Sequence, residues 1–200
     1  MARERSEAER QRHKKIAAFA ASAFGGPFLV HDYYHDTEPL TVDILRCVDR
    51  PRPGVTSYST IGLSDLPIPW GNEEFPTRIE LAGVCDTATE AYPNILASAA
   101  FHMMRSGDVY HPGAAIEGYV ELYFRGTGLP YLYFTSPFTW KDLRTFDAGS
   151  VKITWLQAMP ISQAELDYLK THGDIALEDV FNKSRIDASD MHRPSTVFHS

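Results

Sequence analysis

The sequence predicts an α+β protein, a largely antiparallel β-sheet of about six to eight strands with an N-terminal helix, a central helix and C-terminal helices packed on it. Three observations carry this. Two capping boxes, Ser6-Glu7-Ala8-Glu9 and Ser162-Gln163-Ala164-Glu165, mark helix starts near both ends of the chain. Between them lie short β-prone stretches bounded by turn residues. The 200 residues are 44% hydrophobic and 22% charged, an ordinary globular composition with length enough for a packed core.

The first helix is predicted over 7–24, because Ile16, Phe19, Ala20 and Ala23 form one stripe and Gly25-Gly26-Pro27 ends the run. Strands follow at 28–34, 40–48, 55–63 and 77–85. Leu40, Val42 and Ile44 alternate with Thr41 and Asp43, as in a strand with one wet face. Short connections predict antiparallel neighbours, and 66–75, with two prolines and Trp70, reads as a loop. Thr87 or Thr89 is the expected cap of the central helix, with Pro93 in its first turn and Gly107 at its end. A hairpin is predicted from strands 119–124 and 131–134, then a strand at 151–159. Helices at about 163–172 and from a cap at Asp174 to about 183 complete the core, and the polar residues 184–200 predict a loose tail. No repeat, linker or charge block divides the chain, so one domain is expected over 1–200.

The net charge of −7 is unevenly spread. Residues 1–15 hold six basic and three acidic side chains, so the other 185 residues carry 13 against 23. An acidic body repels a phosphate backbone and suits a basic protein partner, so no nucleic-acid partner is expected. No apolar run approaches the roughly 20 residues of a membrane span, because Gly25, Gly26 and Pro27 interrupt Ile16 to Val30. Neither a membrane nor a targeting segment is expected, which predicts a cytoplasmic protein. Cys47 and Cys85 sit in apolar, strand-like stretches and read as two buried free thiols.

The sequence offers little catalytic chemistry. His31 and His35 are four apart, but on a strand they stand roughly 13 Å from each other, too far for one metal ion. Gly62-Leu63-Ser64-Asp65-Leu66 approaches a nucleophile elbow yet lacks the closing glycine and the helix that should follow. Gly126-Thr127-Gly128 belongs to a turn. Asp32, Asp36 and Asp43 could meet across adjacent strands around a divalent cation, and a metal-dependent hydrolase using His31, Asp32 and Asp36 is carried as the minor alternative. The hairpin is more informative. With Val120, Leu122, Phe124, Leu132 and Phe134 facing the core, the opposite face shows Tyr119, Glu121, Tyr123, Tyr131 and Tyr133. Tyrosines so arranged form an interface or lie under a helix. Trp70, Glu73 and Glu74 in the proline-rich loop join these five as candidate partner-binding residues.

The run Ser57-Tyr58-Ser59-Thr60-Ile61-Gly62-Leu63-Ser64-Asp65-Leu66, followed by Arg78-Ile79-Glu80-Leu81, resembles the suppressor-of-fused domain family. The Pro93-anchored helix, Trp155-Leu156-Gln157 and the segment from Pro160 to Gly173 with Glu165-Leu166 extend the similarity over about 15–195. Ala23-Phe24-Gly25-Gly26 and the single-domain length are most similar to bacterial members, immunity or antitoxin proteins that neutralise a cognate polymorphic toxin, often a nuclease. The resemblance implies a non-catalytic binding module with no cofactor and no metal, whose partner is a toxin such as a basic nuclease domain. It places Gly62, Leu63, Ser64, Asp65, Arg78 and Glu80 in a motif that fixes a turn or touches the partner. The animal regulator clamps a peptide between two domains; only one is represented here, so the resemblance leaves room for a scaffold that binds a peptide by strand addition.

Overall fold

Ser6 opens α1 (Glu7–Phe24) as a reciprocal capping box: its hydroxyl accepts from the Glu9 amide, and the Glu9 carboxylate accepts from the Ser6 amide. Gly25, at φ 83°, closes the helix by donating to the Ala21 carbonyl. The computed structural model describes residues 5–149 and 151–197. Along it follow β1 (Leu29–Tyr34), β2 (Thr41–Cys47), β3 (Val55–Ile61), a 3-10 turn (Leu63–Asp65), β4 (Pro69–Trp70), β5 (Glu73–Glu74) and β6 (Thr77–Asp86). Then come α2 (Tyr92–Ser106), β7 (Ala115–Ile116), α3 (Tyr119–Tyr123), β8 (Tyr131–Thr135), β9 (Phe146–Asp147), β10 (Lys152–Ile161), α4 (Gln163–His172) and α5 (Asp174–Ser184).

One sheet of eight strands runs in the order β1-β2-β3-β6-β10-β8-β7, with β9 paired to β10. All pairings are antiparallel except β6 with β10, which is parallel and is reached through α2, α3 and β8. Alternation of side chains splits each strand between two faces. Leu81, Leu132, Phe134, Leu156 and Ala158 pack under α2 on one face. On the other, Leu45, Ala82, Val84, Ile153 and Trp155 meet α1, and beside them Tyr133, Met159 and Ile161 meet α4 and α5. Several buried polar side chains of the central strands are paired. The Trp140 and Trp155 indoles donate to Ser57 and Ser59, each at 2.9 Å, and Gln157 holds the backbone at 138 and 139. Cys47 and Cys85 are buried free thiols, and burial pushes them up to about 11 and about 12, so both stay protonated.

At Gly83 the Tyr92 ring of α2 lies directly on β6. A Cβ there would lie 2.1 Å from the hydroxyl of Tyr92, which is fully buried and donates to the Ala158 carbonyl at 2.9 Å. Neither the strand nor the ring can yield. Gly83→Ala is expected to cost at least about 1–3 kcal/mol of stability, read as a lower urea midpoint.

Several expectations are corrected. Residues 119–123 form α3, not a strand, with Gly118 at φ 83° before it. Val120 and Phe124 share a face under either period, so they do not discriminate; Leu122 does, and it is 66% exposed. Neither Thr87 nor Thr89 caps α2, whose N-cap is Ala91 without a side-chain bond, and Gly173, not Asp174, precedes α5. The predicted loop 66–75 carries the small β4–β5 hairpin. The segment after α5 is packed where a loose tail is expected: Ser189, Met191 and Arg193 are buried, and residues 198–200 of that prediction lie outside the described residues.

Candidate functional site

The motif from Gly62 to Asp65 leaves β3 through Gly62, at φ 105°, and makes the 3-10 turn. Glu80, in the middle of β6 and wholly buried, organises it. Its carboxylate accepts from the Thr60 and Ser64 hydroxyls, both at 2.6 Å, and from the Gly62 and Ser64 amides at 2.9 and 3.1 Å. Burial holds this carboxyl above the usual range despite four donors. Asp65, at the end of the turn, accepts from the Arg12 guanidinium and from His13 Nε2, so the turn fastens α1 to the sheet. Burial pushes Asp65 up, but hydrogen bonds from His13 and Arg12 pull it further down, leaving it below its ordinary value. Arg78 donates to the Ser64 and Asp65 carbonyls and pairs with Glu74 at 2.8 Å. Gly62, Ser64, Asp65, Arg78 and Glu80 are thus tied into one internal network, and Leu63 is buried in the core on the α2 side. Ser64 is fully buried on Glu80, an arrangement with no path for a substrate to its hydroxyl.

The β4–β5 hairpin rises from this knot. Trp70, 63% exposed, packs against Phe75 with ring centroids 5.4 Å apart, and Glu73 and Glu74 point outward beside it. The structure thus brings Trp70, Glu73 and Glu74 into one exposed tip, with the hairpin's base clamped by Arg78.

A second aromatic surface forms where α3 lies on α2. The Tyr119 hydroxyl bonds His102 Nδ1 at 2.9 Å, and the Tyr123 hydroxyl bonds Ser98 at 2.7 Å. These rings, with Tyr33, Tyr34 and Phe101, line a cleft of about 350 Å³ between α2, α3 and the end of β1. Glu121 stands exposed on α3. Tyr131 and Tyr133 are not part of it, because β8 turns them to the other face of the sheet. Tyr133 is 0% exposed under α5 and donates to Glu178, while Tyr131 bonds Gln163. The single tyrosine face expected from strand parity is thereby replaced by two surfaces. Tyr33, Tyr34, Phe101 and Leu122 belong to the aromatic cleft and were not among the sequence candidates. Nothing in their local pattern announces it, since the cleft exists only once α3 is a helix.

Among the described residues no three His, Cys, Asp or Glu side chains are placed to hold a metal ion. His35 Nδ1 accepts from the amides of Thr37 and Glu38 in the β1–β2 turn. Asp32 does face Asp43 across β1 and β2, but Asp43 is held by Arg5 at 2.6 and 2.7 Å. No described helix is long and apolar enough to cross a membrane.

An internal polar network and exposed aromatics on a sheet covered by helices define the class as α+β. The chain belongs to the family "Suppressor of fused protein (SUFU)", whose pattern it matches over residues 38–194. Among particular relatives, Immunity protein YqcF of Bacillus subtilis (strain 168) is 36% identical over 188 residues, 94% of this chain and 98% of that protein. In fold, the chain is similar to a SUFU homolog from Neisseria gonorrhoeae, with a TM-score of 0.71 and 16% identity over 96% of this chain and all of that one. It is also similar to the protein of the Sufu–Fu complex, with a TM-score of 0.68 and 14% identity over 92% and 91% of the two chains. It spans 42% of Drosophila Suppressor of Fused, with a TM-score of 0.58.

Proposed function

We propose that this protein is an immunity protein, acting in the cytoplasm, that binds a cognate toxin and blocks it without catalysis. The observation that carries the proposal is the 36% identity to Immunity protein YqcF along almost the whole of both chains. The internal roles of Glu80, Asp65, Ser64 and Glu165 support binding over chemistry, since each charge or hydroxyl is already spoken for within the fold.

The finer proposal concerns the toxin's chemistry. The ten-charge acidic excess of residues 16–200 would speed encounter with a basic surface and could occupy a nuclease's phosphate-binding groove. Trp70 with Glu73 and Glu74 at the hairpin tip, and Tyr119, Glu121 and Tyr123 at the α3 cleft, combine aromatic anchors with negative charge, a pairing suited to such a partner.

The test is to co-express the tagged protein with the toxin domains encoded beside its gene. The expected result is co-purification with one of them and loss of that toxin's activity at equimolar protein, with slower association as salt rises. Full activity of every neighbouring toxin beside a molar excess of this protein would refute the proposal.

A further inference from the structure

β1 is the outermost strand of the eight-stranded sheet, and no strand among the described residues pairs with its free edge. The opposite edge, β7, is two residues long. Protein edges are ordinarily protected by lysines, prolines, bulges or an overlying element. β1 reads Leu-Val-His-Asp-Tyr-Tyr, pairs with β2 without a bulge over all six residues, and is exposed on both faces. Leu29 is 54%, Val30 39% and Tyr34 62% exposed.

The direction of the free backbone groups follows from the ladder. The His35 amide donates inward to the Leu40 carbonyl, and in an antiparallel pair the inward and outward positions alternate. Val30, Asp32 and Tyr34 therefore present their N–H and C=O groups outward, while residues 29, 31 and 33 bond β2. The side chains of the outward set point to the α1 face. In their middle, Asp32 sits directly opposite Asp43, a like-charge pair across two strands that is unfavourable unless answered. Arg5 forks onto Asp43 and reaches Asp32 only through its field, so two carboxylates share one guanidinium; the hydrogen bond of Asp32 comes from the Tyr34 hydroxyl at 3.4 Å.

We infer that the β1 edge takes an extended segment of a partner protein as a ninth strand, with an arginine or lysine of that segment opposite Asp32 and apolar side chains opposite Val30 and Tyr34. The backbone supplies affinity through the three outward residues, and the basic side chain sets register by balancing the one negative charge by which Asp32 and Asp43 exceed Arg5. The Tyr33 ring, on the opposite face, leads from the edge into the aromatic cleft, so a segment leaving β1 continues onto α3. A second copy of this chain is a poorer occupant, because antiparallel pairing of two β1 strands about Asp32 sets the two carboxylates against each other. This inference rests on the immunity reading for the identity of the partner, but its geometry is testable without a toxin.

The probe is the peptide acetyl-Thr-Val-Thr-Arg-Thr-Val-Thr-amide, titrated into the full-length protein with amide hydrogen exchange followed residue by residue. The expected result is new protection at Val30, Asp32 and Tyr34, with the Arg→Glu peptide binding about 5–10-fold more weakly. Val30→Pro, which removes an outward amide that the sheet does not use, should abolish protection at unchanged melting temperature. Asp32→Lys should invert the preference between the two peptides. Unchanged exchange, equal binding of both peptides, or protection that grows with protein concentration in the absence of peptide would overturn the inference. A Val30→Pro protein that still neutralises a toxin refutes the edge while sparing the immunity reading. Peptide binding with no toxin ever neutralised does the reverse.

Discussion

Arg193→Ala is expected to destabilise the protein by about 3–5 kcal/mol, the usual cost of removing one member of a buried ion pair. Arg193 forks onto Glu165 at 2.7 and 2.9 Å, donates to the Pro160 carbonyl, and lies over the Phe181 ring. Glu165 is wholly buried and also accepts from the Ser162 and Thr196 amides. Burial pushes its carboxyl up, and the Arg193 hydrogen bonds pull it further down, so it ends below its ordinary value. Because the folded value is depressed, this stabilisation is present above the unfolded carboxyl's pKa near 4.5 and is lost as pH falls through the folded value. Without the guanidinium, burial dominates and the sign reverses. The variant should therefore lose most at neutral pH, and its deficit should shrink as the solution is acidified through pH 4.5. Urea unfolding at several pH values reads both effects. Arg193→Ala combined with Glu165→Gln should recover part of the loss; a deficit independent of pH would show that packing on Phe181, not the charge, is what Arg193 contributes.

That ion pair also shows where sequence reasoning stops. The Ser162–Glu165 capping box is legible because both partners lie within four residues, and the structure reproduces it together with the helix limits 163–172. That the same Glu165 would also receive an arginine 28 residues later is not local information, so 184–200 reads as a polar tail although Arg193 stitches it to α4. The parallel β6–β10 pair is hidden for the same reason: each strand is visible alone, but their adjacency is made by everything folded between them. α3 is a different failure. Tyr119 to Tyr123 are β-prone residues in an alternating pattern, and the helix is imposed by Gly118 and by packing on α2. Of the candidate residues, the exposure of Trp70 follows from its place among turn residues. Tyr119 and Tyr123 do share a surface, but as neighbours four apart on a helix and not as alternate positions of a strand. Tyr133, assigned to the same surface from parity, is buried because α5 covers the face that parity shows it on.

Glu80→Ala should be as damaging as Arg193→Ala, at about 3–5 kcal/mol, from lost volume together with buried donors left without an acceptor. The Gly62 and Ser64 amides and two hydroxyls would all lose their partner in a region closed to water. The consequence should travel beyond the sheet, because Asp65 reaches Arg12 and His13 only while the 3-10 turn holds; α1 should become the first segment cut in limited proteolysis. Glu80→Gln makes the informative contrast. Its oxygen can keep the three donors now on Oε1, and its amide nitrogen can donate to Thr60 Oγ1, whose hydroxyl proton then turns toward the Leu81 carbonyl, 3.4 Å away. The network survives with the charge removed, so the loss at neutral pH should stay below about 1 kcal/mol. Here the pH sign is opposite to that of Glu165. Burial raises the folded carboxyl above 4.5, so wild-type stability from this group is complete below that value and falls as pH rises through the folded one. Glu80→Gln cannot titrate and should gain on the wild type across the same interval. If instead the glutamine variant fails as badly as the alanine at every pH, the carboxylate's charge is required in its own right, and the turn has an electrostatic partner beyond the four donors that surround it.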